Sequence, residues 1–170
     1  MLGRPTKSEA AEYYFTYIDQ VKGDDVKVVL ATQLEESPAF FSGISEDKSL
    51  YRYGPEKWSI RQVLNHISDT ERAFAFRALW FGRNCSTPLP GYDQDIAASA
   101  AAADRISWAA HLDEFLSVRR STISLFANMP SEGWMRSGIA NDNPFTVRAL
   151  AYIIAGHYPH HIKIIRERYL

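Results

Sequence analysis

Apolar residues recur along most of this 170-residue chain at spacings of three and four, the periodicity of a helix with one buried face. No segment sustains the alternation of apolar and polar residues that marks a half-buried strand. The pattern therefore predicts an all-α fold, in which helices with one apolar face pack together as a bundle. The predicted helices span residues 8–21, 25–43, 59–81, 107–129 and 146–170.

The helix predicted at 59–81 has the clearest start signals. Ser59 and Gln62 have the spacing of a capping box, and Trp58 and Val63 have that of a hydrophobic staple around the same turn. Because both devices fix the first turn of a helix, we expect the helix to begin at this point.

The other predicted elements carry weaker signals. Thr6 and Glu9 have capping-box spacing at the start of an additional N-terminal helix. Pro38 interrupts the second helix and predicts a kink or an early stop. Residues 131–143 are expected to be irregular, whereas the alanine-rich run at 97–103 favours a short connecting helix.

Length and composition are those of an ordinary globular chain. We expect one domain, residues 1–170, with the bundle proper at about 25–170. Apolar residues make up 46% and charged residues 23% of the chain, as is usual for soluble proteins. The single cysteine excludes an intrachain disulfide.

Charge and hydropathy exclude several classes of partner. The net charge is −1 and the basic residues are scattered, so we expect no nucleic-acid partner. The N-terminus lacks the apolar region of a signal peptide, and no apolar run reaches membrane-spanning length. These features predict a cytoplasmic protein without a membrane partner.

Histidine is the most informative residue type of the chain. Three of the five histidines, His157, His160 and His161, fall within five consecutive residues of the last predicted helix. His157 and His161 are four residues apart and therefore share one helix face. Measured from Val147 on the buried stripe, they lie at about −80° and −40°, whereas His160 lies at about −140°. The i, i+4 pair thus borders the core, and His160 points away from it.

A further histidine, His66, lies on the helix predicted at 59–81. It is roughly 120° from the centre of the apolar stripe, on a flank that it shares with Thr70 and Arg77. Such a flank permits contact with a neighbouring helix. Together with the pair on the last helix, three neutral imidazoles would bind a divalent metal and leave one coordination position open, as catalytic sites do. The plainer alternative is a set of partly buried histidines satisfied by hydrogen bonds.

Two neighbours of these histidines bear on the hypothesis. Asp69 follows His66 by three residues and is a candidate to orient its ring by accepting a hydrogen bond, although a solvated surface charge is the plainer interpretation. Pro159 lies between the two histidines of the last helix and predicts a kink, because it removes the hydrogen bond to the carbonyl of Ala155.

Glu71 is an unexpected acidic residue within an apolar stripe. It lies about 20° from the centre of the stripe on the helix at 59–81. A buried carboxylate requires a partner or a raised pKa. The position predicts a buried ion pair with Arg148 or Arg168, and a catalytic carboxylate is the less favoured alternative.

Four segments of the chain resemble the DinB-like superfamily of DinB/YfiT-like proteins. The segment WSIRQVLNHISDTE at 58–71 is similar to the second bundle helix of that family. The segments FTVRAL at 145–150 and GHYPHH at 156–161 are similar to its last bundle helix, and TPLPGY at 87–92 also matches. The resemblance therefore covers most of residues 25–170.

The resemblance implies an up-down-down-up four-helix bundle that is often dimeric, so a homodimer is expected. Family members hold nickel or zinc through one histidine on the second bundle helix and an H-x-x-x-H pair on the last. By position, this implies His66, His157 and His161 as the metal ligands. Tyr158 and Pro159 depart from the helix-favouring, often acidic, residues that are usual there.

The resemblance also implies an enzyme that acts on a small-molecule substrate. Characterised relatives are thiol-dependent S-transferases or a thiol-dependent isomerase, so a low-molecular-weight thiol is an expected cosubstrate. In the loop at 88–95, Tyr92 and Asp93 are candidates to contact the substrate, and no general base is identified. The alternatives are a non-enzymatic binding or stress-associated bundle without a functional metal, and a dimerisation module.

Overall fold

The computed structural model describes residues 3–170, and most of them are helical. Short 3-10 turns lie at Glu12–Tyr14, Lys48–Leu50, Ala103–Arg105 and Ser131–Met135. The α-helices are α1 (Phe15–Ile18), α2 (Val26–Ser42), α3 (Ile60–Gly82), α4 (Gln94–Ala100), α5 (Trp108–Ala127) and α6 (Val147–Arg168). Strands β1 (Ser137–Ala140) and β2 (Asn143–Thr146) pair as an antiparallel hairpin.

Helices α2, α3, α5 and α6 form an up-down-down-up four-helix bundle, which confirms the predicted all-α fold. Helix α3 packs on α5 and α6, and α2 packs on the same two helices from the opposite side. The connection at 83–107, which contains α4, returns the chain along the bundle, so that α3 and α5 run in the same direction. Within residues 3–170, no helix is long and apolar enough to cross a membrane.

The start of α3 agrees with its sequence signals. The hydroxyl oxygen of Ser59 accepts the backbone N–H of Gln62 at 3.1 Å, and the side-chain oxygen of Gln62 accepts the backbone N–H of Ser59 at 3.0 Å. This reciprocal pair is the predicted capping box. Helix α6 begins in a similar way, with the Thr146 hydroxyl accepting the backbone N–H of Ala149 at 3.0 Å.

The N-terminal helix is much shorter than the predicted span of 8–21. The backbone N–H of Thr6 does donate to the Glu9 carboxylate at 2.8 Å. The same carboxylate also accepts the Thr146 hydroxyl at 2.8 Å and pairs with Arg148 of α6. The Thr146 backbone N–H donates to the Glu9 carbonyl at 3.0 Å. These hydrogen bonds and the ion pair hold the backbone around Glu9 against the hairpin and α6. Helical backbone therefore begins only at the first 3-10 turn.

The expectation of irregular structure at 131–143 is wrong, because part of this stretch forms the hairpin. Its turn is made by Asn141 and Asp142, both in the left-handed region with φ of 50° and 59°. Asn and Asp tolerate this region better than other non-glycine residues do. The strands are only four residues long and the turn has no glycine, so neither alternation nor turn composition revealed them.

Two prolines lie inside bundle helices without ending them. Helix α2 continues through Pro38 to Ser42, and α6 continues through Pro159 to Arg168, so neither proline causes an early stop. Each proline lacks the N–H that would bond the carbonyl four residues earlier. A side chain replaces it in both cases. The Ser37 hydroxyl donates to the Leu34 carbonyl at 3.2 Å, and the Gln33 amide donates to the Ala155 carbonyl at 2.7 Å.

A layer of polar residues divides the bundle core into two apolar clusters. One cluster includes Phe74 and Phe126 and lies at the end of the bundle that contacts α1 and the hairpin. The other cluster includes Ile67 and Phe115. On each bundle helix, polar side chains lie between the residues that belong to the two clusters. This polar layer comprises Gln33, Thr70, Glu71, Arg119 and His157, with His66 and His161 bordering it.

Candidate metal centre

Three histidine side chains converge where α3 meets α6. His66 projects from α3, and His157 and His161 project from consecutive turns of α6. The Nε2 atom of His157 lies 3.1 Å from that of His66 and 3.0 Å from that of His161. One ring nitrogen from each residue lies within 4.8 Å of the other two. The structure therefore brings together the three histidines that the sequence singled out.

Burial keeps these imidazoles neutral. His66 and His157 are buried and His161 is half-buried. Burial, reinforced by the charge of His160, lowers the pKa of His66 to about 4. Burial and the neighbouring histidines lower the pKa of His161 to about 3 and hold that of His157 well below its usual range. At neutral pH all three rings therefore have a lone pair available without loss of a proton.

The donor set fits a divalent cation better than it fits a closed hydrogen-bond network. The Nε2 atom of a neutral ring carries either one hydrogen or one lone pair, so His157 satisfies only one of its two Nε2 neighbours at a time. A cation would accept all three lone pairs. Nitrogen ligands at zinc lie about 3.3 Å apart in a tetrahedral site. The two separations from His157 Nε2, 3.1 Å to His66 and 3.0 Å to His161, are close to this value. Three imidazoles suit zinc, nickel, copper or iron.

The second ring nitrogen of His66 contacts a neighbour on its own helix. Its Nδ1 atom lies 3.3 Å from the Thr70 hydroxyl one turn later, which fixes the ring orientation. Asp69, the acceptor considered from sequence, does not take this role. Its carboxylate accepts a hydrogen bond from Asn65 and pairs with Arg72 at 3.2 Å. This geometry agrees with the plainer interpretation of Asp69 as a surface charge.

A cavity of about 110 Å³ opens beside His157. The N-terminal segment forms one of its walls, because α1 packs against α6. Gly156 allows this close approach, since a Cβ atom there would lie 1.9 Å from the carbonyl oxygen of Tyr17. The Tyr17 ring consequently packs edge-on against His157, with 5.2 Å between ring centroids. The cavity is lined by Tyr13, Tyr14, Tyr17, Thr70, Ala73, Phe74, Arg77, Tyr92, Gln94, Asn141 and His157.

The two loop residues considered from sequence have different places. Tyr92 lines the cavity, and burial raises the pKa of its hydroxyl, so Tyr92 stays protonated at neutral pH. Asp93 instead caps α4, and its carboxylate accepts the backbone N–H groups of Asp95 and Ile96 at 3.0 Å each. That Tyr92 contacts a substrate stays a prediction.

Sequence reasoning missed most of the cavity wall. Tyr13, Tyr14 and Tyr17 belong to a segment outside the bundle, and no local pattern connects them to α6. Arg77 and Thr70 had a usable signal, because both share the flank of α3 on which His66 lies.

Comparison with known proteins adds to this geometry. The sequence profile described as DinB superfamily matches residues 30–165, which is most of the chain. The chain belongs to the DinB superfamily. No curated protein matches it.

One solved structure resembles this DinB-superfamily chain over nearly its whole length. It is YfiT from Bacillus subtilis, described as a probable metal-dependent hydrolase with an unusual four-helix bundle topology. The match has a TM-score of 0.69, covers 96% of this chain and 89% of YfiT, and has 19% sequence identity. At this identity the likeness shows a shared fold.

A buried ion pair lies in the polar layer beside the histidines of this DinB-superfamily chain. Glu71 pairs with Arg119 of α5, with both carboxylate oxygens within 3.1 Å of the guanidinium. The expected partners, Arg148 and Arg168, are incorrect, since Arg148 pairs with Glu9 near the start of α6. The Arg119 guanidinium also donates to the side-chain oxygen of Gln33 at 2.6 Å.

This network ends at α6. The Gln33 side chain makes two hydrogen bonds: its oxygen accepts from Arg119, and its amide nitrogen donates to the Ala155 carbonyl. The network therefore connects α3, α5 and α2 to the turn of α6 that carries His157. Because Glu71 is committed to this ion pair, it is not available as a general base.

Proposed function

We propose that this DinB-superfamily protein is a divalent-metal-dependent enzyme, with His66, His157 and His161 holding zinc or nickel. The observation that carries the proposal is the convergence of three neutral imidazole nitrogens, one of them beside a cavity. A cation bound there would act as a Lewis acid and lower the pKa of a thiol or water that coordinates it. The protein supplies the ligands and the cavity.

The residues around the cavity have defined tasks in this proposal. Burial raises the pKa of Tyr17, and the hydrogen bond with Tyr13 at 2.9 Å raises it further, so its hydroxyl remains protonated. Tyr14 is likewise kept protonated by burial, which raises its pKa. These hydroxyls orient polar groups of a substrate by donating hydrogen bonds. Thr70 holds the His66 ring in place.

The reaction that we favour is transfer of a low-molecular-weight thiol to a small electrophile. The supporting observation is that none of the described residues lining the cavity is a carboxylate, so the wall offers no carboxylate general base. Activation of water commonly uses such a base. A thiol needs none, because metal coordination alone deprotonates it at neutral pH. In the transfer, a carbon–sulfur bond forms, the electrophile's leaving group departs and the thiol proton is released.

Metal-dependent hydrolysis is the second candidate. It is favoured by the likeness to YfiT, which is described as a probable metal-dependent hydrolase. The two candidates share the histidine site and differ in the nucleophile. An assay that follows consumption of the electrophile with and without added thiol distinguishes them. Thiol transfer consumes it only when thiol is present and yields a thioether, whereas hydrolysis also consumes it in thiol-free buffer.

The test of the metal site is metal analysis by mass spectrometry on untagged protein purified without chelators. We expect about one zinc or nickel ion per chain by the three-ligand geometry. The ion should be lost in His66→Ala and His157→Ala. His160→Ala is the matched control, since His160 lies on the same helix but contacts Gln20 at 3.1 Å. A parent protein that takes up no metal even after reconstitution would favour a non-enzymatic binding bundle.

A further inference from the structure

Three arginines of residues 3–170 are more than nine-tenths buried, and they differ in their partners. Arg119 pairs with Glu71, and Arg61 pairs with Glu46. Arg77 is 6% exposed, yet no carboxylate of the described chain forms an ion pair with it. A buried charge is costly unless an opposite charge or several hydrogen bonds compensate it. Arg77 is therefore the buried arginine whose compensation is incomplete.

The surroundings of Arg77 provide little compensation. Its guanidinium lies over the rings of Phe74 and Phe145, at 5.2 and 5.9 Å from the ring centroids. One nitrogen reaches the carbonyl of Pro90 at 3.5 Å, and Tyr14 lines the same cavity. A guanidinium has five N–H donors in a fixed planar fork. Most of these donors lack a protein acceptor at short distance.

Arg77 lines the same cavity as His157. The other polar groups in the wall are tyrosine and threonine hydroxyls and the amides of Gln94 and Asn141, and no described lining residue is acidic. The wall is thus rich in hydrogen-bond donors and carries one positive charge. Its volume of about 110 Å³ is sufficient for a small polar group such as a carboxylate.

We propose that Arg77 binds the carboxylate of a small substrate in the cavity beside His157. A planar carboxylate matches the guanidinium fork with two parallel hydrogen bonds, and the burial of the site strengthens the pair. A single arginine balances one negative charge, which suits a carboxylate better than a phosphate dianion. The inference rests on the proposed function, because it assigns the substrate of the same site to the carboxylic acids.

The test uses metal-free protein, so that its outcome is independent of the metal. Thermal unfolding and calorimetry are followed with propionate, with its neutral isostere propionamide, and with inorganic phosphate. We expect propionate to raise the melting temperature saturably and propionamide to have no such effect. In Arg77→Met the propionate dissociation constant should rise about tenfold or more, the usual effect of losing a charged hydrogen bond. Arg77→Lys should be intermediate, because it keeps the charge but loses the fork.

Two controls separate recognition from folding. Arg83→Met removes an exposed arginine at the end of α3 and should leave propionate binding unchanged. Arg77→Met should melt no earlier than the parent, because it removes a buried charge that has no carboxylate partner. If that variant does not fold, Arg77→Gln and Arg77→Lys carry the comparison.

Several outcomes would overturn the inference. They are equal responses to propionate and propionamide, a propionate response that survives in Arg77→Met, and a response to phosphate alone. Metal content of the parent protein is measured separately. A parent protein that takes up metal but does not bind propionate would refute the carboxylate assignment and leave the metal site standing, whereas a parent protein that binds propionate but takes up no metal would refute only the metal proposal.

Discussion

Two neighbouring regions of the bundle interior differ in how completely their polar groups are paired. On one side, Glu71, Arg119 and Gln33 form a network in which both charges and the amide have partners. On the other side, the histidine nitrogens converge on one another, and Arg77 faces a cavity without an acidic partner. The paired region connects helices and stabilises the fold. In the second region, imidazole lone pairs and guanidinium N–H donors remain free to bind a ligand, as expected of a functional site.

The comparison predicts its largest effect for Arg119 and Arg77, the buried arginines of the two regions. Arg119→Met leaves Glu71 buried without its counter-charge, so the free energy of unfolding should fall by about 3–5 kcal/mol. Arg77→Met leaves no carboxylate unpaired and should change the free energy of unfolding by less than about 1 kcal/mol. Urea denaturation of both variants measures the difference. Equal losses would show that Arg77 is as structural as Arg119, and the contrast between the regions would be wrong.

A smaller effect is expected where the network meets Pro159. Gln33→Ala leaves the Ala155 carbonyl without its donor, which should lower the free energy of unfolding by about 1–3 kcal/mol. Pro159→Ala restores a backbone N–H that can bond the same carbonyl. In the Pro159→Ala protein, Gln33→Ala should lower the free energy of unfolding by about 1 kcal/mol less than it does in the parent, although the hydrogen bond to Arg119 is still lost. A double-mutant cycle by urea denaturation measures this coupling. Additive effects would mean that Gln33 does not replace the bond removed by the proline.

A third predicted effect concerns the pH dependence of stability in the metal-free protein. The pKa of His66 is lowered to about 4 in the folded state, below its usual value of 6.5. Between these values the unfolded chain binds more protons, so stability is complete above pH 6.5 and falls as the pH decreases toward 4. Each such histidine contributes up to about 1.4 kcal/mol per pH unit. Urea denaturation of the parent and of His66→Gln from pH 7 to pH 4.5 tests this. An identical slope in the variant would contradict the buried neutral state of His66.

Local patterns predicted a large part of this architecture. The capping box of Ser59 and Gln62 located the start of α3, and the four-residue spacing placed His157 and His161 on one face. The contact of His66 with this pair is a tertiary event, which the position of His66 on a flank permitted but did not determine.

The parts that sequence did not predict depend on distant contacts. The N-terminal helix was overestimated because Glu9 is held by Thr146 and Arg148, more than a hundred residues away. The apolar residues of α5, which define its buried face, do not identify Arg119 as the partner of Glu71. Arg119 lies one turn after Phe115, within the buried face, and that spacing was the available signal.

The measurement that tests the central claim most directly is calorimetric titration of zinc and of nickel into the metal-free protein. We predict one ion per chain, and affinity reduced more than about 100-fold in His66→Ala, His157→Ala and His161→Ala, since each removes a direct ligand. His160→Ala should bind as the parent does. Binding that is absent from the parent, or that is equal in the parent and the three variants, would contradict the assignment of this cluster as a metal centre.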